Sequence, residues 1–226
     1  MKLILTLIIC LMATCVGCAS KQAAPLQEQT SSGCEKCFSA EAWRVVHRIE
    51  ADFGPAGSIS LIGVSRGDPV NRKLTSVLMT AEGCVLLEVE QSPEGQEVLR
   101  ALPPFDKPEM VQGMMSDVAL MFLQPKGKPS ANGTFCQWKL KDGDLLKVSR
   151  LADGSCRLDL MDDSGELTRT VRMNLPWRNG FASVVELRAE GKIGYALELH
   201  LLESERHANK VSMTEPSNAV QIKQGN

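Results

Sequence analysis

The chain has 226 residues, of which 43% are apolar and 4% aromatic, and its formal net charge at pH 7 is −2. A nearly balanced charge with both signs mixed excludes the basic patch or stripe that nucleic-acid-binding proteins carry. The length suits one domain with a sizeable core.

The first twenty residues have the pattern of a bacterial lipoprotein signal. Lys2 precedes an apolar run from Leu3 to Val16, and small residues then lead into Cys18. The run is shorter than the ~18 residues that a membrane-spanning helix needs, and an ordinary secretory signal, the other alternative, needs no cysteine at its end. We therefore predict a signal peptide over 1–17 and a lipid anchor, with palmitate among its acyl groups, on Cys18. Because Ala19 is not the aspartate that retains lipoproteins in the inner membrane, we expect the periplasmic face of the outer membrane.

Five cysteines remain after the signal and the anchor, and an odd number leaves at least one thiol free or bonded to another chain. Residues 18–33 have no apolar period and are predicted to be a flexible tether. Cys34 and Cys37 then form a Cys-x-x-Cys pair. No strand of a redox βαβ unit precedes the pair, and no second pair stands at metal-ligand spacing. A structural disulfide involving Cys34 and Cys37 is the favoured interpretation, and a thiol-active pair is the alternative.

The first predicted elements are a helix and then strands. Ser39 is a suitable N-cap for a helix over 40–53, in which Trp43, Val46 and Ile49 fall on one face. From Ser58 onward the apolar period is that of strands. The predicted strands are 58–65, 73–80 and 84–91 as a hairpin around 81–83, and 97–102.

A second helix is predicted from Glu109 to Leu123, between two prolines. Its final turns are apolar on every side, so they must be buried on every side. Met114, Val118 and Met121 fall along one side at helical spacing, and we predict that they line a cavity between helix and sheet. The alternative is a plain filled core.

The second half alternates strands with turn signals such as Asn132-Gly133 and Asp153-Gly154. In the final hairpin, Val185 and Leu187 alternate with Glu186 and Arg188, so one face of the sheet is dry and the other wet. From Ser204 the period is lost, which predicts a disordered tail over 204–226. The expected fold is α+β: an antiparallel open β half-barrel of about ten strands wrapping two helices over 34–203.

Three segments, in this order, resemble an uncharacterised family of bacterial lipoproteins: Ser92-Pro93-Glu94-Gly95-Gln96, Ser116 to Pro125, and Gly194-Tyr195-Ala196-Leu197-Glu198-Leu199. The resemblance covers residues 57–202. That family is similar in architecture to LolA and LolB, the periplasmic carrier and outer-membrane receptor of lipoprotein sorting, whose open barrel is closed by helices around a cavity for acyl chains. The resemblance implies a LolB-like domain. By composition, Leu102-Pro103-Pro104-Phe105 is a candidate for the apolar loop that LolB uses on membranes, and a tight, solvent-avoiding loop is the alternative.

Catalytic patterns are missing from the sequence. His47, His200 and His207 are interpreted as solvated side chains, and there is no Gly-x-Ser-x-Gly elbow, phosphate-binding loop or calcium-ligand spacing. We expect a non-enzymatic lipoprotein, without cofactor or metal, that binds an acyl chain, a lipidated cargo or another apolar ligand in lipid or lipoprotein trafficking. The alternatives are a thiol-active periplasmic protein using Cys34 and Cys37, and an interaction module that uses the sheet without a ligand.

Overall fold

Alternation of apolar and polar residues produces long strands that bury one face and leave the other wet. The computed structural model of the chain describes residues 33–133, 135–191 and 194–207. In these ranges the strands and the α-helix run as follows: β1 Ala42–Asp52, β2 Ser58–Asp68, β3 Lys73–Met79, β4 Val85–Ser92, β5 Gly95–Ala101, α1 Pro108–Phe122, β6 Ser130–Asn132, β7 Phe135–Lys139, β8 Leu145–Arg150, β9 Cys156–Met161, β10 Leu167–Arg178, β11 Phe181–Ala189 and β12 Tyr195–His207.

The twelve strands form one antiparallel sheet in the order β5-β4-β3-β2-β1-β12-β11-β10-β9-β8-β7-β6. The first and last strands therefore pair in the middle of the sheet, and β5 and β6 are its two edges. Since α1 connects these edges, the chain must cross one face of the sheet, which we call the inner face. No helix within the described ranges has the length and hydropathy of a membrane span.

The core lies between the inner face and α1. Large side chains from both halves of the sheet are fully buried there, among them Trp43, Leu87, Trp138 and Leu158. On β2 the close approach of these side chains requires glycine. A Cβ at Gly67 would lie 2.3 Å from the Cζ2 atom of Trp43, which no real packing allows.

The helix predicted over 40–53 is wrong, because most of this segment forms β1. Trp43, Val45 and His47 are buried at a period of two, and Arg44 and Val46 between them are more exposed. Trp43, Val46 and Ile49 also fit a helical period, so periodicity alone does not decide between the two. Strand pairing decides it, since β1 is hydrogen-bonded to β2 on one side and to β12 on the other. The described residues accordingly have twelve strands and one α-helix, not about ten strands and two helices.

The remaining predicted elements agree more closely. The helix predicted from Glu109 is α1, and the hairpins β3–β4 and β11–β12 are present. The boundary predicted at Ser204 falls inside β12, which pairs with β1 as far as His207. The predicted signal peptide, the anchor at Cys18, nearly all of the tether and residues 208–226 lie outside the described residues.

Candidate functional site

The inner face is covered by α1. Val111, Met115, Met121 and Phe122 are buried against the sheet. Of the three side chains predicted to line a cavity, Met121 is one of these buried residues. The other two, Met114 and Val118, are half-buried and pack against the margin of the core.

Between α1 and the sheet there is a void of about 10 Å³ at the carboxyl end of the helix. It is lined by side chains of α1, of β10 and β11 and of the segment before β1, including Phe38, Met121, Phe122, Met173, Trp177, Phe181 and Val185. A space of this size holds about one water molecule. In this conformation, therefore, α1 fills the space that an acyl chain would need.

A short segment before β1, Cys34–Phe38, covers part of the same face and is covalently attached to it. Cys34 is bonded to Cys136 on β7, and Cys37 is bonded to Cys156 on β9. Phe38 packs edge-on against the ring of Trp138, with the ring centroids 6.4 Å apart.

Cys34 and Cys37 are thus both in disulfides, but they are not bonded to each other. The bonding partners lie 102 and 119 residues further along the chain, and strand pairing brings them to the inner face. The sequence does carry a signal for this placement: Cys136 and Cys156 alternate in step with the buried Trp138 and Leu158. Cys84 is free and exposed. Because both cysteines of the Cys-x-x-Cys motif are buried and in disulfides, the geometry favours structural crosslinks over thiol chemistry.

A buried polar cluster attaches α1 to the sheet. Asp117, which is 4% exposed, accepts hydrogen bonds from Arg169 Nε on β10 at 3.1 Å and from the Tyr195 hydroxyl on β12. Burial raises the pKa of Asp117, while the hydrogen bond from Tyr195 and the charge of Arg169 oppose the rise. Sequence reasoning missed this cluster. The available signal was a lone carboxylate at the start of a run that is otherwise apolar.

The chain leaving α1 has its own attachment. Arg72, in the turn between β2 and β3, donates a hydrogen bond from Nη1 to the carbonyl oxygen of Gln124. Together with Asp117, this contact fixes the second half of α1 on the inner face.

His47 is not a solvated side chain, contrary to the prediction. It is 2% exposed on the inner face of β1, and its ring stacks on Phe122 with the centroids 5.5 Å apart. Desolvation by burial, with a smaller contribution from the charge of His200, lowers the pKa of His47 to about 4. The imidazole is therefore neutral at pH 7. His200, by contrast, is partly exposed and lies 2.9 Å from Glu198, and His207 is exposed.

One residue of the loop proposed as a membrane contact turns inward. Phe105 is 5% exposed, and its backbone N–H donates to the carbonyl oxygen of Leu102 at 2.8 Å. Leu102 itself is 41% exposed. The loop is thus a tight turn that buries Phe105 and exposes Leu102, Pro103 and Pro104.

A wider and more polar depression of about 400 Å³ lies away from α1, beside β3, β4 and β5. Lys73, Thr75, Glu90 and Gln91 are among its lining residues. Within the described ranges, no group of three or more His, Cys, Asp or Glu side chains is arranged to hold a metal ion. The inner face is the better candidate for an apolar ligand.

Comparison with solved structures identifies the architecture. A LolA superfamily protein from Nitrosomonas europaea superposes with a TM-score of 0.51 at 11% identity, over 78% of this chain and 92% of that one. The chain has a LolA-like fold. The LolA-like architecture confirms, at the level of the fold, the resemblance found in the sequence.

Two further structures align less well. A putative outer membrane lipoprotein-sorting protein domain from Vibrio parahaemolyticus aligns with a TM-score of 0.45 at 7% identity, over 79% of this chain and 90% of that one. For a DUF1329 family protein from Desulfovibrio piger the TM-score is 0.42 at 12% identity, over 79% and 91%. No protein-family model matches the sequence, and no curated protein is significantly similar to it.

Proposed function

We propose that this protein is an outer-membrane-anchored lipoprotein that binds an acyl chain, or another apolar ligand, on the inner face of its LolA-like domain. The observation that carries the proposal is the cover of that face. Within the described ranges, one 15-residue helix and the short segment Cys34–Phe38 lie over a twelve-stranded apolar surface. The implied role is the handling of lipids or of lipidated cargo, without catalysis.

Binding would exchange one apolar partner for another. An acyl chain that lifts α1 would take the place of the contacts that Met115, Met121 and Phe122 make with the sheet. Each methylene group of the acyl chain that is buried there contributes up to ~0.8 kcal/mol, which offsets the loss of those contacts. Methionine side chains adjust to partners of different shape, which suits ligands of different chain length. Binding therefore requires α1 to move against the contacts that Asp117 and Arg72 make.

Intrinsic tryptophan fluorescence provides a test, because Trp43, Trp138 and Trp177 all lie on or beside the inner face. We expect 9,10-dibromostearate to quench the fluorescence of the exported protein saturably, since bromine quenches only at close range. Unbrominated stearate is the matched control, and it should compete without quenching. Quenching that is absent, or that rises without saturation, would contradict ligand binding on this face.

The anchor is tested separately in cells that produce the full chain. Cys18→Ser should move the protein from the membrane to the soluble periplasmic fraction, because several acyl chains on one residue exceed the marginal hold of a single chain. Cys15→Ser is the matched control and should leave the protein in the membrane fraction. If Cys18→Ser stays membrane-bound and still incorporates labelled fatty acid, the lipid anchor is elsewhere.

A further inference from the structure

Four polar side chains are buried together on the inner face of β1, β2 and β3. Trp43, His47, Ser65 and Ser76 are 1%, 2%, 8% and 4% exposed, and we call them the floor cluster. They lie on adjacent strands, since Ser65 is paired with Val45 of β1 on one side and with Ser76 of β3 on the other. The floor cluster is therefore a second polar site on a mostly apolar face, besides that of Asp117, Arg169 and Tyr195.

Hydrogen bonding within the floor cluster is incomplete. Within the described part of the chain, neither Trp43 Nε1 nor His47 Nε2 has a hydrogen-bond partner. The hydroxyl oxygens of Ser65 and Ser76 are 3.5 Å apart, at the outer limit of a hydrogen bond. Buried polar atoms without partners are costly and rare in native proteins, so each needs an explanation.

The floor cluster lies under the carboxyl end of α1. The ring of Phe122, the last residue of α1, is 5.5 Å from the ring of Trp43 and 5.5 Å from that of His47. Phe122 also lines the small void at this end of the helix. Phe122 is therefore the side chain that would have to move before a ligand could reach either ring from this end of the helix.

The side chains of the floor cluster favour a ligand group that is uncharged and accepts hydrogen bonds. Trp43 Nε1 is a donor only, and serine hydroxyls donate as readily as they accept. The buried polar residues of the described ranges are His47, Ser65, Ser76, Asp117 and Ser155, so no lysine or arginine is buried beside the cluster. A carboxylate placed there would lose its hydration with no fully buried cation as a partner, which is strongly unfavourable, since the half-buried Arg72 at this end of α1 is already hydrogen-bonded to the carbonyl oxygen of Gln124.

We propose that Trp43, His47, Ser65 and Ser76 form a polar subsite for the neutral head of an acyl ligand, such as an ester or amide carbonyl. The proposal rests on the proposed function, because it places one end of the ligand whose chain occupies the inner face. It adds a preference among ligands: acylated esters and amides over free fatty acids.

Three quenchers with the same brominated chain test this subsite in the full-length protein at pH 8. They are methyl 9,10-dibromostearate, 9,10-dibromostearate and 9,10-dibromo-octadecane, which differ only in the head group. We expect the ester to bind about three- to tenfold more tightly than the hydrocarbon, the effect of one or two hydrogen bonds, and more tightly than the carboxylate. His47→Leu and Ser76→Ala should each reduce this preference for the ester. Ser155→Ala, which removes a buried hydroxyl outside the cluster, should preserve it.

Thermal unfolding without ligand provides a second measurement. Because His47→Leu removes an unpartnered buried nitrogen, its melting temperature should equal or exceed that of the wild type. Equal affinity for ester and hydrocarbon would overturn the subsite while the proposed function stands. An ester preference that survives both substitutions would overturn the residue assignment, and tightest binding of the carboxylate would overturn the neutral head. If no probe quenches the tryptophan fluorescence, both the proposed function and the subsite are contradicted.

Discussion

Removal of both disulfides is expected to lower the free energy of unfolding by about 8 kcal/mol, a large part of the roughly 5–15 kcal/mol that a domain has. The first crosslink closes a long loop, 102 residues for Cys34–Cys136, and a loop of about 100 residues corresponds to roughly 4.7 kcal/mol. Once the first bond is formed, the second bond closes a much shorter loop, because Cys37 lies near Cys34 in the sequence and Cys156 lies near Cys136. It adds roughly 3 kcal/mol.

The two disulfides should therefore be non-additive. Replacing only Cys34 and Cys136, or only Cys37 and Cys156, should cost about 3 kcal/mol, because the remaining bond still closes the long loop. Urea denaturation of the two paired variants and of the quadruple serine variant measures these values. Cys84→Ser is the matched control, and as an exposed free cysteine it should change stability by less than about 0.5 kcal/mol. If the quadruple variant is as stable as either of the two paired variants, the crosslinks of the segment Cys34–Phe38 do not stabilise the fold in this way.

Asp117→Ala is expected to lower the free energy of unfolding by about 3 kcal/mol, because it leaves Arg169 and the Tyr195 hydroxyl without their buried acceptor. The value is at the low end for a broken buried pair, since the Arg169 side chain is 25% exposed. Asp117→Asn should cost only about 1 kcal/mol. The amide keeps an acceptor for Tyr195, and because burial raises the pKa of Asp117, removing the charge also removes part of a desolvation cost.

Urea denaturation also measures the Asp117 variants. The control is Glu203→Ala, which removes a 3.1 Å ion pair between Arg44 and a half-exposed carboxylate, and should cost less than about 1 kcal/mol. Because Asp117→Ala loosens α1, we also expect 9,10-dibromostearate to quench the tryptophan fluorescence of this variant faster than that of the wild type. If Asp117→Ala is no less stable than Glu203→Ala, the cluster does not hold the helix on the sheet.

The sequence alone was sufficient to predict a structural element where its local pattern had a single interpretation. The alternation in β11 and β12 and their flanking turn residues predict a hairpin with one dry face, which is observed. Prolines at both ends predict α1, which is observed. The prediction that its final turns are buried on every side holds only for Met121 and Phe122, because Val118, Ala119 and Leu120 are half-buried. From these elements, an open antiparallel sheet covered by a helix follows.

Tertiary structure decided the features that depend on distant partners. The segment around His47 fits a helical and a strand period, and only pairing with β2 and β12 makes it β1. The error carried over to His47, whose burial under Phe122 depends on that strand. The disulfide partners of Cys34 and Cys37 lie more than 100 residues away, so local spacing contains no information about them. Sequence patterns report which residues must avoid water, whereas the fold determines which residues meet when they do so.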